Sequence, residues 1–163
     1  MIFDIAVVGG GIVGLAAAWR LQQARTHLRL LLLEKEFFLG AHQTSHNSGV
    51  LHAGLYYKPG SAKAQLAVEG LRQMVAFCRE HGIPHEQCGK IVIASSSEEL
   101  PRLHSLWERG IANGLRGIRT LESGQIKEIE PHAAGLAGLH VPEEGIVDYP
   151  AVAQKLGALV QQM

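Results

Sequence analysis

Gly9, Gly11 and Gly14 stand in Gly-x-Gly-x-x-Gly spacing after the apolar run Ile5-Ala6-Val7-Val8, and Glu34 closes a second apolar run, Leu28 to Leu33. Glycines in this spacing react with nothing; they let a backbone come close to an anion. Gly9 permits a tight strand-to-helix turn, Gly11 leaves room for a pyrophosphate beside the main chain, and Gly14 lets the helix lie close to the sheet. The pyrophosphate then meets the free N–H groups and positive dipole end of a helix opening at Ile12 and Val13. Glu34 lies twenty residues beyond Gly14, where a carboxylate can accept from ribose hydroxyls. The triplet alone is a weak signal. Strand, triplet, helix, second strand and acid in this order point to a dinucleotide site and away from a structural Gly-rich turn.

His42, His46 and His52 lie close together in the sequence and raise the question of a metal. They share no ligand frame with cysteines or carboxylates, and a zinc site needs a third or fourth partner of defined spacing, so no metal is expected. Cys78 falls on the apolar stripe of a helix and Cys88 in a loop. Two cysteines so placed do not form a disulfide framework and read as unpaired thiols of a reducing compartment, which makes the expected location cytoplasmic.

The elements that must position these residues follow from periodicity. Ile2 to Val8 and Leu28 to Leu33 read as buried strands of a parallel sheet covered on both faces, with a helix from Ile12 to Ala24 between them. From Lys35 to Gly60 the pattern dissolves into Gly, His, Ser, Thr and Asn, too long for an ordinary connection and therefore a candidate functional loop. A helix follows from Ser61 to His81, with Ala64, Ala67, Leu71, Met74, Val75 and Cys78 along one face and Gly82 as its stop. Lys90 to Ser95 reads as a strand, Ser97 to Asn113 as a helix, Leu139 to Val147 as a pair of short strands, and Pro150 to Gln162 as a final helix. That helix runs into Met163 with neither a stop signal nor a polar tail, so the expectation is of a truncated chain.

Bulk properties narrow the function classes. Fifteen Lys and Arg balance fifteen Asp and Glu over 163 residues, which leaves no electrostatic footprint for nucleic acid. With 47% hydrophobic residues and 19 glycines the composition fits a compact α/β protein and opposes disorder. No apolar stretch approaches the roughly 20 residues of a membrane helix. With only Met1 to Asp4 ahead of the first strand, no signal peptide is expected.

The glycine motif serves nicotinamide and flavin sites alike, and the long loop after Glu34 discriminates. A nicotinamide half-domain continues with a further helix and strand; here the loop could instead fold along an extended FAD. The stretch from Gln43 to Ser61, including Thr44-Ser45-His46-Asn47-Ser48-Gly49-Val50-Leu51-His52-Ala53-Gly54-Leu55-Tyr56-Tyr57, resembles the corresponding segment of FAD-dependent L-2-hydroxyglutarate oxidases and dehydrogenases. These belong to the D-amino-acid-oxidase-like flavoproteins. Cys88-Gly89-Lys90-Ile91-Val92-Ile93-Ala94 and Gly145-Ile146-Val147-Asp148 are similar to the same group. The resemblance covers the whole chain but only the N-terminal part of the family's length.

It implies an α/β fold: a Rossmann-like FAD-binding domain over 1–88 and the beginning of an α+β substrate domain over 89–163. It implies that Gly9, Gly11, Ile12, Val13, Gly14 and Glu34 hold the ADP half of FAD, with Lys35 beside the adenosine ribose or merely solvated. Thr44, Ser45, Asn47, Ser48, Gly49 and Val50 would run past the pyrophosphate toward the flavin, although Ser, Asn and Gly there also suit ordinary turn chemistry. His52 would lie near the isoalloxazine, where it could orient substrate, act as a base or shape flavin electronics; a histidine bonded to loop backbone is the competing reading. The implied reaction is oxidation of L-2-hydroxyglutarate to 2-oxoglutarate. The C2 hydrogen leaves as hydride to flavin N5, a base takes the hydroxyl proton, and Arg or Lys neutralises the two substrate carboxylates. The alternatives are an amine or glycerol-3-phosphate oxidase of the same group and a noncatalytic FAD-binding module. Oxygen, a quinone or a carrier protein is the expected electron acceptor, and a peripheral association at the inner face of the cell membrane is compatible with it.

Overall fold

The computed structural model describes residues 2–162. In chain order the elements are β1 (Ile5–Val8), α1 (Ile12–Ala24), β2 (Leu30–Leu33), β3 (Val50–Leu51), α2 (Ala62–His81), β4 (His85–Glu86) and β5 (Lys90–Ala94). A 3-10 turn (Ser97–Glu99) leads into α3 (Leu100–Ala112), followed by β6 (Arg119–Glu122), α4 (Ser123–Ile129), β7 (Ala137–Val141), β8 (Gly145–Val147) and α5 (Tyr149–Gln162). The chain packs as two compact units, one of Met1–Gly49, Cys78–Pro84 and Val147–Met163, the other of Val50–Phe77 and His85–Ile146. Each unit is discontinuous, in contrast to a single division at residue 88, because the last helix packs on the first.

The first unit is built on the parallel pair β1 and β2, with Ile5 opposite Leu30 and Val8 opposite Leu33. Both strands are shorter than their apolar runs, since Asp4 already turns its carboxylate to the Arg29 N–H at 2.8 Å. The backbone N–H and guanidinium of Arg29 hold the Asp4 carboxyl below the usual carboxylate range. Helix α1 packs against this pair and against α5, burying Leu15 and Ala18. On α5, Val152, Ala153, Leu156 and Gly157 are buried. A Cβ at Gly157 would come within 2.3 Å of Leu39, so glycine there sets how closely α5 approaches the loop after β2. The expectation of a sheet covered on both faces is not met: half-buried and exposed residues alternate along β1, and Val8 is 82% exposed. A two-stranded sheet backed by α1 has one covered face, and among the described residues nothing covers the other.

The second unit carries two small sheets. The antiparallel order β5-β7-β6 pairs Ile91 with His140 and Thr120 with Leu139. Helices α3 and α4 pack against it and bury Leu103, Leu121, Ile126, Leu139 and Val141. The order β3-β8-β4 joins Leu51 to Gly145. In α2 the buried positions Ala64, Val68, Leu71 and Val75 recur at three- and four-residue intervals, as an amphipathic helix requires. Its start is set by Ser61, whose hydroxyl accepts the Ala64 N–H, and its end by Gly82 at φ +65°. The expected continuous helix from Ser97 instead begins with the 3-10 turn, Pro101 taking the first turn of α3. The short elements β3, β4, β6 and α4 are additions to the expected order.

Candidate functional site

The turn from β1 into α1 is closed by hydrogen bonds that only this backbone path allows. Gly9 sits at φ +106°, a region that disfavours side chains, and its N–H donates to the Leu33 carbonyl at 2.7 Å. A Cβ on Gly14 would lie 2.0 Å from the Gly9 carbonyl oxygen, so the first turn of α1 rests on the loop itself. Gly11 differs from both. A Cβ there would meet only the Thr44 hydroxyl, at 3.4 Å, and would otherwise project into open space.

That space is a cavity of about 370 Å³ in the first unit. Val8, Gly9 and Gly11 form one wall, Leu33, Glu34 and Lys35 a second, and residues 40–44 a third. Gly11 is the N-cap of α1 and offers no side-chain cap. Thr44 supplies the missing acceptor from across the cavity: its Oγ1 receives the Ile12 N–H at 3.1 Å while the residue is 8% exposed. The loop after Glu34 is thereby fastened to the helix N-terminus.

Glu34 performs a second fastening. Its Oε2 accepts the Gly10 N–H at 2.6 Å and its Oε1 the Glu36 N–H at 2.9 Å. These bonds, Glu36 first and Gly10 second, hold the carboxyl below its ordinary range. Each oxygen keeps a further lone pair, so the carboxylate can still accept from a hydroxyl in the cavity. Lys35 and His42 both reach Glu36 Oε1, at 3.3 and 2.9 Å, on the exposed rim.

The remaining loop residues divide. His46 Nδ1 meets the His42 carbonyl at 2.9 Å. Asn47 donates to the Gln43 and Thr44 carbonyls and accepts the Gly49 N–H at 2.8 Å, a self-contained turn that puts Gly49 at φ +72°. Ser45, Asn47 and Ser48 are not on the cavity wall. Val13 is 81% exposed on the first turn of α1. Val50 and His52 belong to the second unit.

Sequence reasoning missed Gly10, whose Cβ would come within 2.6 Å of Leu39 and 3.1 Å of the Glu34 Cβ. It also missed Gly40, at φ +73°, whose N–H donates to the Gly10 carbonyl. The unbroken Gly9-Gly10-Gly11 run was the available signal for the first; the second had none.

In the second unit His52 follows β3 with its side chain 55% exposed, whereas Ala53 and Leu55 are fully buried. The carbonyls of this loop are held by α3 and its C-cap residue Asn113. Asn113 donates to the Gly54 and Tyr57 oxygens, each at 3.1 Å, and Arg109 to the Tyr56 oxygen at 2.9 Å. Among the described residues no group of three or more His, Cys, Asp or Glu side chains could hold a metal ion. No helix of these residues is long and apolar enough to cross a membrane.

A parallel βαβ unit, a glycine loop only glycine can trace, a capped cavity at the helix N-terminus and an acid at the second strand's end define a dinucleotide-binding α/β protein of the flavoprotein type. The chain belongs to the FAD dependent oxidoreductase family, DAO, whose profile matches residues 4–163. FAD is the cofactor of that family, and the open side of Gly11 fits the pyrophosphate of such a group.

Among curated relatives, the L-2-hydroxyglutarate dehydrogenase of Indibacter alkaliphilus is 50% identical over 95% of this chain and 39% of its own length. The mitochondrial L-2-hydroxyglutarate dehydrogenase of Homo sapiens is 49% identical over 93% of this chain and 33% of its own. The chain therefore spans between a third and two-fifths of these relatives. Among solved structures, the FAD-bound L-alpha-glycerophosphate oxidase of Mycoplasma pneumoniae superposes with a TM-score of 0.89 at 28% identity, over 98% of this chain and 42% of that one. Glycine oxidase from Geobacillus kaustophilus gives 0.84 at 27%, over 98% and 44%.

Proposed function

We propose that the protein carrying this chain oxidises L-2-hydroxyglutarate to 2-oxoglutarate with FAD as its cofactor. The observation that supports this reading best is the 50% identity to an L-2-hydroxyglutarate dehydrogenase across 95% of the chain, against 28% to the glycerophosphate oxidase. When bound, FAD supplies the two-electron acceptor.

The residues of this chain supply binding and proton handling. Gly9, Gly11 and Gly14 with Ile12 and Val13 present the helix N-terminus to the pyrophosphate, and Thr44 holds that helix end in place. Glu34 accepts from the adenosine ribose with the lone pairs that Gly10 and Glu36 leave, and Lys35 stands beside it. Ser45, Asn47, Ser48, Gly49 and Val50 shape the backbone that continues from the pyrophosphate. His52, exposed on a buried and clamped loop, takes the substrate's hydroxyl proton as general base. Oxygen, a quinone or a carrier protein takes the electrons onward, and the expected compartment is the cytoplasm or the inner face of its membrane.

The test is an anaerobic substrate panel on the FAD-loaded protein. L-2-hydroxyglutarate should bleach the flavin band in one phase and yield 2-oxoglutarate, while glycerol 3-phosphate and glycine should leave it yellow. Bleaching by either of those compounds, with none from L-2-hydroxyglutarate, would move the assignment to another oxidase of this family.

A further inference from the structure

Glu144 is the most deeply buried charged residue described, 1% exposed. It sits just ahead of β8 in the second unit, and three groups converge on it. The Ala53 N–H donates to its Oε1 at 3.1 Å, the Lys90 ammonium pairs with its Oε2, and His52 Nδ1 lies 3.7 Å from the same oxygen. Lys90 also stands over the Tyr56 ring, 4.8 Å from its centroid. A lone buried carboxylate would be costly, and an ion pair with further hydrogen bonds is the arrangement that tolerates it. A buried, compensated acid beside an exposed imidazole exceeds what the fold needs to close a loop, since Asn113 and Arg109 already hold the loop carbonyls.

We propose that Glu144, compensated by Lys90, is a positioning residue for His52. It fixes the backbone that follows the imidazole through Ala53 N–H and places negative charge at the Nδ1 edge, leaving Nε2 as the edge offered to a substrate hydroxyl. The separation of 3.7 Å exceeds a hydrogen bond but is within ion-pair reach once the imidazole carries a proton. Glu144 thus lies where it can pair with His52 when the hydroxyl proton arrives there, and Lys90 keeps the acid from being an uncompensated buried charge. The proposal rests on the reading of His52 as the proton acceptor.

Two measurements on the FAD-loaded protein test it. The first needs no substrate: acylation of individual histidines by diethyl pyrocarbonate at about pH 8, above the ordinary imidazole range, followed by peptide mass spectrometry. Glu144→Gln should slow acylation of His52 by about threefold or more, because the charge that enriches Nε2 is gone, while exposed His27 and His132 react as before. The second is a double-mutant cycle in turnover. Glu144→Gln should lower kcat by about tenfold with KM nearly unchanged, and should cost nothing further in a His52→Ala background.

Should Glu144→Gln not fold, Glu144→Gln with Lys90→Met removes both charges together and should slow His52 acylation equally. Unchanged acylation, or a loss in kcat that persists without His52, would overturn the positioning role. Unchanged acylation in a protein that oxidises L-2-hydroxyglutarate leaves the proposed function standing. Slowed acylation in a protein that no 2-hydroxy acid reduces keeps the His52–Glu144 contact and overturns the function.

Discussion

Three glycines of the loop carry different loads, and substitutions should separate them. At Gly14 an added Cβ meets backbone, the Gly9 carbonyl oxygen at 2.0 Å, which cannot move without undoing the turn. Gly14→Ala should therefore lower stability by about 1–3 kcal/mol, the cost of overpacking a rigid site, and release FAD with it; thermal unfolding and the flavin-to-protein absorbance ratio measure both. At Gly11 the added group meets only the Thr44 hydroxyl, at a van der Waals separation of 3.4 Å, so stability should hold while the cofactor does not. Gly10 shows why the residue scale was only partly legible. Its demand comes from Leu39 and Glu34, distant in sequence; the unbroken glycine run marks the position, but the reason for it lies in those long-range contacts.

His140 gives the residue scale a pH dependence. Burial first, and the Arg119 charge second, push its imidazole below the ordinary 6.5. Its Nδ1 is buried with no hydrogen-bond partner among the described residues. Above the ordinary value both folded and unfolded forms are neutral and stability is flat. Below it the unfolded chain takes up a proton that the folded one refuses, so stability should fall as pH drops below about 6.5. Asp4 and Glu34, held low by their hydrogen bonds, act at lower pH, their contribution being lost as pH falls through their depressed values. Urea midpoints from pH 8 downward should be level and then decline, and His140→Phe should flatten the first part of the decline. An undiminished decline in that variant would assign it to another group.

At the scale of elements, the most legible parts are those whose period runs long enough to be read. Helix α1 occupies the span expected for it, and α2 begins one residue after its expected start, because a glycine marks one end of each and α2 adds an amphipathic stripe. The two-residue strands β3 and β4 have no period to detect. In β6 only Leu121 of four residues is buried. Helix α4 spans two turns and is set by a reciprocal cap between Glu122 and Gln125, visible in sequence only once the preceding strand is known. The α1–α5 contact organises the first unit, and Leu15, 1% exposed, lies within it. Leu15→Ala should cost about 2–5 kcal/mol, as for other buried leucines, and chemical denaturation of the FAD-free protein would show it. A cost below that range would mean the two helices close over the gap.

At the scale of the molecule, the βαβ unit was legible because glycine spacing, strand runs and a terminal acid all constrain one short stretch. The division into units was not, because it depends on the last helix returning to the first, a contact across the length of the chain. Apolar residues remain open on the first unit: Val8 at 82%, Val13 at 81% and Phe37 fully exposed. The 163 residues expressed alone should bind a hydrophobic dye and self-associate. A monodisperse, dye-silent preparation would show that these side chains find cover of their own.

The central claim is that the open side of Gly11, walled by Glu34 and Thr44, holds FAD. The most direct measurement is the bound-flavin absorbance of the purified protein beside its Gly11→Val variant, with circular dichroism to establish that both are folded. The parent should carry one FAD per chain and the variant should be folded and colourless. A folded Gly11→Val protein with stoichiometric FAD would contradict the account, because a branched side chain would then occupy the space assigned to the pyrophosphate.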